Sequence, residues 1–252
     1  MAVRKLREGN RIIGTMVRMV RNPAIAQIAY HAGLDFIMFD LEHGPHSIET
    51  VSDVAKVARS IGLGIFARVP ELAKGYVSRL MDAGIEGIMV PMVSTPEEAQ
   101  QLVQWSRFPP IGNRGFSSNG ELTNFAGMGS DVLTFMKRQN ELTLAIAQIE
   151  TAEAIKNIDA IAAVEGIDVL LIGPSDLAIS LGVPGDIMGE VSQTAIGKVA
   201  DAAEKHQKVF AIGHGNDALL EKWNSRMQMV MSAVDINVLQ NGFTSIAKKY
   251  QK

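Results

Sequence analysis

Eight short apolar segments recur along the chain, and each is followed by a stretch in which apolar residues have helical spacing. A run of consecutive apolar residues of strand length is typical of a strand buried on both faces of a parallel sheet. The eight segments cover residues 11–17, 36–40, 64–70, 87–93, 144–150, 169–173, 209–212 and 227–233. Right-handed strand–helix units repeated eight times close into a barrel at about 250 residues, so the pattern predicts an α/β fold, a single (β/α)8 TIM barrel. A doubly wound open sheet is the alternative.

The length and composition fit one domain over residues 1–252. The chain is 47% hydrophobic and 20% charged, and its formal net charge of -3 gives no basic footprint for a nucleic-acid partner. The absence of cysteine excludes a disulfide framework, a thiolate nucleophile and a Cys-ligated zinc site. The N-terminus is charged and no stretch approaches the ~20 apolar residues of a membrane span. We therefore expect a soluble cytoplasmic protein with no membrane partner.

Capping signals predict where several helices begin and end. Ser47 precedes one helical pattern, which Gly62 ends, and Thr95-Pro96-Glu97-Glu98 combines a capping box with a proline at the first helical position. The pattern predicts a last, polar helix over residues 241–249.

The regular alternation stops between residues 108 and 141. This segment holds several glycines and prolines and a predicted helix over residues 131–138. Loops of this length are uncommon in compact domains and are often functional. We interpret the segment as a lid-like insertion.

Polar residues collect at or just after the carboxyl ends of the predicted strands, where barrels bind their ligands. Each has a structural alternative: Asp176 as a helix cap, Arg68 as a packed ion pair, and the histidines as ordinary hydrogen-bonded residues. The convergence of the set on one rim favours a functional site. The set comprises Glu42, His43, Arg68, Gln148, Glu150, Asp176 and His214.

Glu150 and Asp176 follow neighbouring strands, so their carboxylates are expected to face each other. Two carboxylates without His or Cys ligands suit a hard divalent cation such as Mg2+ or Mn2+. Such a site can chelate a 2-oxo acid and acidify the adjacent C–H, with Arg68 stabilising the enolate oxygen and His43 as the base. The alternative, a Schiff base, requires a lysine that points into the barrel, and no predicted strand offers one.

Six segments, taken in order, resemble the HpcH/HpaI aldolase family of metal-dependent class II pyruvate aldolases. The resemblance runs from Gly14 to Asp235, and each motif alone is weak whereas the ordered set is specific. The segments are 39–45 (FDLEHGP), 67–70 (ARVP), 90–93 (VPMV), 112–115 (GNRG), 148–151 (QIET) and 172–177 (IGPSDL).

The resemblance implies a (β/α)8 barrel that cleaves 4-hydroxy-2-oxo acids to pyruvate and an aldehyde through a metal-bound enolate. It implies Mg2+, Mn2+ or Co2+ at Glu150 and Asp176, and a hexamer built as a trimer of dimers that exchange C-terminal helices. It also implies a role for each matching residue. Arg68 polarises the enolate oxygen, and Gln148 lines the pyruvate site. His43 is the acid/base through a metal-bound water, and Asp82 orients His43 across a subunit boundary. Backbone amides in the stretch Gly173, Pro174 and Ser175, at a helix N-terminus, receive the pyruvate carboxylate.

The chain departs from the family pattern where substrate is selected. Members that cleave long diacids carry arginines after the Gly-x-Arg-Gly turn, whereas residues 116–125 here hold no cation. We therefore expect a small, neutral or hydroxylated aldehyde, unless Arg18 or Arg21 reaches the pocket.

Two other functions remain open. One is an acyl-thioester lyase of the citrate-lyase β-subunit type on the same barrel, which calls for a basic surface near the rim. The other is a non-catalytic barrel that binds a 2-oxo acid.

Overall fold

The structure, a computed structural model, describes residues 2–129, 131–213 and 216–251. Eight parallel strands form a closed barrel in which each strand pairs with the next and the eighth pairs with the first. The strands are β1 (Ile12–Val17), β2 (Phe36–Asp40), β3 (Gly64–Arg68), β4 (Gly87–Val90), β5 (Leu144–Ile149), β6 (Val169–Ile172), β7 (Val209–Ile212) and β8 (Met229–Val234). The predicted (β/α)8 barrel is confirmed.

Helices alternate with the strands around the outside of the barrel. Those of the described residues are α1 (Ala2–Arg7), α2 (Ala24–His31), α3 (Ile48–Ile61), α4 (Lys74–Asp82), α5 (Pro96–Ser106), α6 (Val132–Glu141), α7 (Ala152–Ala162), α8 (Pro174–Ser180), α9 (Glu190–Lys205), α10 (Asp217–Trp223) and α11 (Asp235–Tyr250). A 3-10 turn, Glu121–Thr123, precedes α6. In the part of the chain that is described, no helix has the length and apolar character needed to cross a membrane.

The predicted capping signals are present. The Ser47 hydroxyl accepts a hydrogen bond from the amide of Thr50, and Gly62 ends α3 with a left-handed φ of 80°. Thr95 and Glu98 form the predicted capping box at the start of α5. These local sequence signals therefore fix helix ends independently of the barrel.

Alternation along the strands separates two cores. Phe36 and Met38 point into the barrel, whereas Ile37 and Phe39 pack against the outer helices. The rings of Phe36 and Phe66 stack inside with centroids 4.7 Å apart. Continuing the same alternation places the next inward-facing side chains at the carboxyl rim, and these are polar.

Two terminal helices differ from the sequence expectation. The short helix α1 has no counterpart among the predicted elements; it buries Ala2, Val3 and Leu6 in the barrel interior and so closes its N-terminal end. The last helix begins at residue 235 rather than 241, and of its residues only Asp235 is buried. The helix is amphipathic, since Leu239, Phe243 and Ile246 recur at helical spacing, but this apolar face is exposed in the protomer.

The segment 108–141 lies at the N-terminal end of its own barrel. Helix α5 runs antiparallel to the strands and therefore delivers the chain to that end. There Arg59, in the last turn of α3, donates a hydrogen bond of 2.9 Å to the carbonyl of Leu122, and Arg107 forms an ion pair with Asp168 just before β6. These bonds hold the segment at the end of the barrel opposite the rim, and its role as a lid stays a prediction.

Candidate active site

A pocket of about 210 Å³ opens among the carboxyl ends of the strands. It is smaller than the ~300–1,000 Å³ typical of drug-sized ligands, so it suits a small substrate. Seven of the residues predicted for the site line it: His43, Arg68, Gln148, Gly173, Pro174, Ser175 and Asp176. The remaining wall is formed by Met16, Arg18, Met89, Leu171, Gly213 and Met231.

A buried carboxylate at the end of β2 holds Arg68 in place. Arg68 Nε donates to Asp40 Oδ1 at 2.9 Å, Arg68 Nη2 donates to Asp40 Oδ2 at 2.7 Å, and Arg68 Nη1 lies 2.8 Å from Glu42 Oε2. Burial alone raises the pKa of Asp40, but hydrogen bonds and charge from Arg68, with help from Arg18, outweigh it and lower the pKa to about 2. Asp40 is therefore ionised, and the guanidinium of Arg68 is held in one plane at the pocket wall.

Glu150 lies just beneath the pocket surface. Its Oε1 accepts a hydrogen bond of 2.8 Å from the amide of Met92, and its Oε2 accepts one from Nε2 of Gln148. Burial is the largest cause that raises the pKa of Glu150, to about 7, and the charges of Asp176 and Glu42 add to it. The other polar side-chain atom of Gln148, Oε1, is buried with no hydrogen-bond partner in the described residues. The carboxylate of Glu150 can therefore interact with a cation, and Oε1 of Gln148 can accept a hydrogen bond from a ligand.

Two backbone features shape the surroundings of Glu150. Met92 has a φ of 58°, unusual for a residue other than glycine, and it directs its amide to the carboxylate. A Cβ atom on Gly173 would lie 2.1 Å from Glu150 Oε2 and 2.8 Å from Gln148 Nε2. Glycine at residue 173 is therefore required for the carboxylate to occupy this position.

Asp176 is exposed to the pocket in the first turn of α8. Its negative charge raises the pKa of both Glu42 and Glu150, although burial is the larger cause for each. No ion pair joins Glu150 or Asp176 to a cation, and no three His, Asp or Glu side chains group as a complete metal cage, within the residues that the structure describes. Two uncompensated carboxylates beside a guanidinium can hold a hard divalent cation whose other ligands are water or substrate oxygens.

His43 and Asp82 are not brought together within one protomer. His43 is exposed at the pocket, with Nε2 3.8 Å from Glu42 Oε2. Asp82 lies at the last residue of α4, at the N-terminal end of the barrel, where its Oδ1 is 2.6 Å from Nη2 of the buried Arg114. The predicted pairing of His43 with Asp82 therefore requires a second subunit.

Of the three residues predicted to bind the pyruvate carboxylate through the backbone, only Ser175 has an amide left for it. The Gly173 amide donates to the carbonyl of Ile149 at 3.3 Å, and Pro174 has no amide hydrogen. Ser175 stands in the first turn, where a helix leaves its N–H groups without an intrahelical partner. Ser175 lines the pocket.

The remaining histidines contribute no described group to the pocket. His46 is buried and packs edge-on against Phe39, with ring centroids 4.9 Å apart, and burial lowers its pKa. This favours a structural role for His46. His214 lies outside the described residues.

Sequence reasoning missed Asp40 as the anchor of Arg68, and Met92 as a donor to Glu150. For Asp40 a signal was available: it is the one charged residue in the strand Phe36–Asp40 and has the inward parity of Phe36 and Met38. For Met92 the sequence offers no signal, since methionine has no preference for a positive φ.

The sequence and fold are similar to those of known lyases. The HpcH/HpaI aldolase/citrate lyase family matches residues 17–239. The chain is 32% identical to the 4-hydroxy-4-methyl-2-oxoglutarate aldolase tasA of Hapsidospora irregularis, over 90% of this chain and 85% of that one. It is 31% identical to the hydroxypyruvate/pyruvate aldolase of Roseobacter denitrificans, over 99% and 96%. The crystal structure of an HpcH/HpaI aldolase from Desulfitobacterium hafniense superposes with a TM-score of 0.92 at 30% identity, over 98% of this chain and 95% of that one.

Proposed function

The chain belongs to the HpcH/HpaI aldolase/citrate lyase family, a family of carbon–carbon lyases, and we propose that it reversibly cleaves a 4-hydroxy-2-oxo acid to pyruvate and an aldehyde. The observation that carries this proposal is a pair of neighbouring carboxylates without a cationic partner in the described residues: Asp176 lines the same small pocket as Arg68, and Glu150 lies buried behind Gln148 of that pocket. This arrangement suits the enolate chemistry that such a cleavage requires.

A divalent cation, Mg2+, Mn2+ or Co2+, fits the residues present. Glu150 and Asp176 would hold it, since both supply carboxylate oxygens, and the pKa of Glu150 is raised by burial first and then by the charge of Asp176, which a cation would offset. When bound, the cation supplies Lewis-acid polarisation of the 2-oxo group. The unpartnered Oε1 of Gln148 offers an acceptor for a water or substrate hydroxyl beside it.

The protein's own residues carry out the proton and charge movements. His43 takes the proton from the 4-hydroxyl, the C3–C4 bond breaks to release the aldehyde, and its electron pair becomes the C2–C3 double bond of the pyruvate enolate. Arg68, held by Asp40, stabilises the negative charge on the enolate oxygen. Return of the proton to C3 yields pyruvate, so no further reactant is needed.

The backbone of α8 orients the acid end of the substrate. The Ser175 amide donates to the pyruvate carboxylate from the helix N-terminus, next to Asp176. Gln148, whose amide is fixed by Glu150, lines the same end of the pocket.

A second copy of the chain completes the catalytic machinery in this proposal. The exposed apolar face of α11, which includes Phe243, Ile246 and Tyr250, packs on a neighbouring barrel, and Asp82 reaches the neighbour's His43. A trimer of such dimers gives the predicted hexamer. The cytoplasmic location stays a prediction.

The test is exchange of the methyl protons of pyruvate in D2O, followed by NMR, because it needs no knowledge of the aldehyde. We expect exchange with Mg2+ or Mn2+, loss of exchange with EDTA, and loss in Asp176→Ala. The matched control is Asp53→Ala, which removes an exposed carboxylate of α3, and it should exchange as the wild type does.

Absence of metal-dependent exchange in the folded wild-type protein would contradict the proposal. Cleavage of an acyl-thioester would then favour the citrate-lyase type of activity, and 2-oxo-acid binding without turnover would favour the non-catalytic barrel.

A further inference from the structure

Arg18 is an inward-facing residue of the rim. The inward positions of β1 are Ile12, Gly14 and Met16, and Arg18, the first residue after the strand, continues this alternation. Arg18 lines the pocket, whereas Arg21, three residues later, is exposed and does not. The sequence predicted a neutral aldehyde unless Arg18 or Arg21 reaches the pocket. Arg18 does reach it, so the pocket can also accept a negatively charged aldehyde.

The backbone of Arg18 is fixed by a buried carboxylate. Asp235 Oδ1 accepts a hydrogen bond of 3.0 Å from the amide of Arg18, and Asp235 Oδ2 accepts bonds from the amides of Met19 and Val20 at 2.9 Å and 2.8 Å. Four hydrogen bonds in total, including one from Ile236, hold this carboxylate at the start of α11. These bonds hold the backbone of the turn that carries Arg18 in one position.

The side chain of Arg18 lines the pocket, and its terminal nitrogens have few partners. Only Nε makes a strong bond, 2.9 Å to Asp40 Oδ2, and within the described residues the terminal nitrogens contact only the thioether of Met16, at 3.9 Å. Thioether sulfur is a weak acceptor, so the terminal N–H groups of the guanidinium include unused donors. The side chain is 25% exposed, and its neighbours on the pocket wall include Met16 and Met231.

Arg18 lies beside Arg68, because Nε of Arg18 and Nη2 of Arg68 both donate to Oδ2 of Asp40. β1 and β5 are four strands apart in a ring of eight, so Arg18 lies across the pocket from Glu150. Arg68 makes three contacts with Asp40 and Glu42, whereas Arg18 uses only Nε on Asp40 and keeps its terminal nitrogens for a group further from the 2-oxo carbon. A guanidinium on a partly apolar wall can bind a carboxylate through two parallel hydrogen bonds.

We propose that Arg18 is a specificity-determining residue that binds a carboxylate at the end of the substrate remote from the 2-oxo group. The inference rests on the proposed aldol cleavage and names its substrate class, 4-hydroxy-2-oxo diacids. Selection of the diacid by a residue that follows β1 requires no cation from the segment 116–125.

The first test compares cleavage of two substrates of equal length, 4-hydroxy-2-oxohexanedioate and the neutral 4,6-dihydroxy-2-oxohexanoate. The wild type is expected to have the higher kcat/KM for the diacid. In Arg18→Met the ratio of the two kcat/KM values falls roughly 10- to 100-fold, the range for a charge-assisted hydrogen bond. Arg18→Lys retains an intermediate ratio, and the control Arg21→Met retains that of the wild type.

A binding measurement supplies a readout that is independent of turnover. In the presence of Mg2+, calorimetry compares 2-oxoadipate with 2-oxohexanoate, neither of which has a 4-hydroxyl to cleave. The wild type binds 2-oxoadipate more tightly, and Arg18→Met loses that advantage.

Pyruvate exchange separates the two ways of failing. Two results would overturn the inference while the aldolase function stands, provided that the wild type exchanges pyruvate protons. One is a wild type that does not prefer the diacid. The other is an Arg18→Met variant that lowers kcat/KM equally for both substrates, because Arg18 then acts only through Asp40 and Arg68. If there is neither exchange nor cleavage, the proposed function fails and the inference with it.

Discussion

Arg68 donates two parallel hydrogen bonds to Asp40, from Nε at 2.9 Å and from Nη2 at 2.7 Å. Both residues occupy the last position of their strands, and the register pairs them directly. The contact therefore follows from strand pairing, and it fixes the plane of the guanidinium before any substrate enters.

Arg68→Lys tests whether this planar guanidinium is needed. Lysine keeps the charge but presents a single ammonium, which cannot make the paired bonds to Asp40 or hold the same position over an enolate. We expect kcat for cleavage to fall roughly 100- to 1,000-fold with a smaller change in KM. Steady-state kinetics measures this, with the exposed Arg79→Lys as the control. A fall confined to KM would show that Arg68 only binds the substrate.

Asp40 makes the stability of the protein sensitive to acid. Because its folded-state pKa is lowered to about 2 from 3.8, its stabilising contribution is present above about pH 4 and is lost as the pH falls through about 2. A shift of this size corresponds to about 2 kcal/mol. Urea unfolding of the wild type at pH 7, 5 and 3.5 should therefore show a decline at the lowest pH.

Asp40→Asn removes this titrating group and leaves the guanidinium of Arg68 without its buried partner. We expect a loss of about 3–5 kcal/mol in the free energy of unfolding at pH 7. The decline between pH 5 and 3.5 should also be shallower than in the wild type. Equal slopes for the two proteins would show that Asp40 does not couple folding to pH.

Gly173→Ala tests the close approach of the backbone to Glu150. The added methyl group would overlap Glu150 Oε2 and displace the carboxylate, so we expect the affinity for Mn2+ to fall roughly 10- to 100-fold. Calorimetric titration with Mn2+ measures this. The control is Gly197→Ala in α9, where the new Cβ lies 3.6 Å from Trp223, an ordinary contact, and the helix gains roughly 0.5–1 kcal/mol. Wild-type affinity in Gly173→Ala would show that Glu150 has room to move.

Mixed oligomers test whether Asp82 acts on a neighbour's His43. His43→Ala and Asp82→Asn are each expected to be nearly inactive, and co-expression should restore part of the activity because some sites then combine both native residues. Asn at residue 82 keeps a hydrogen-bond acceptor for Arg114. Co-expression of His43→Ala with Arg68→Met, which alter the same pocket, should restore nothing. Failure of the first pair to regain activity would place Asp82 outside the catalytic machinery.

The barrel itself was predictable because its strands are recognisable one at a time. Residues 144–149 are apolar except for Gln148, and local signals such as the capping box at Thr95 mark the intervening helices. Parallel strands buried on both faces need no knowledge of their neighbours to be recognised. The rim residues followed from that, since strand ends define the rim.

Features set by contacts distant in sequence were not predictable. Helix α1 is six residues long and is stabilised by packing in the barrel floor, not by its own propensity. The position of the segment 108–141 depends on contacts such as Arg59 with Leu122, which no local pattern encodes. The orientation of Arg18 depends on Asp40 and Asp235, which lie 22 and 217 residues away.

Asp235 has a consequence for how the protein can vary. It is both the first residue of α11, whose apolar face is exposed in the protomer, and the acceptor that fixes the turn of Arg18. Because Asp235 bonds the backbone of this turn, a tilt of α11 would move Arg18 with it. In the proposed oligomer, the residue that begins the helix at the subunit contact also fixes the turn of Arg18, so a C-terminal fusion or truncation is expected to change assembly and substrate selectivity together.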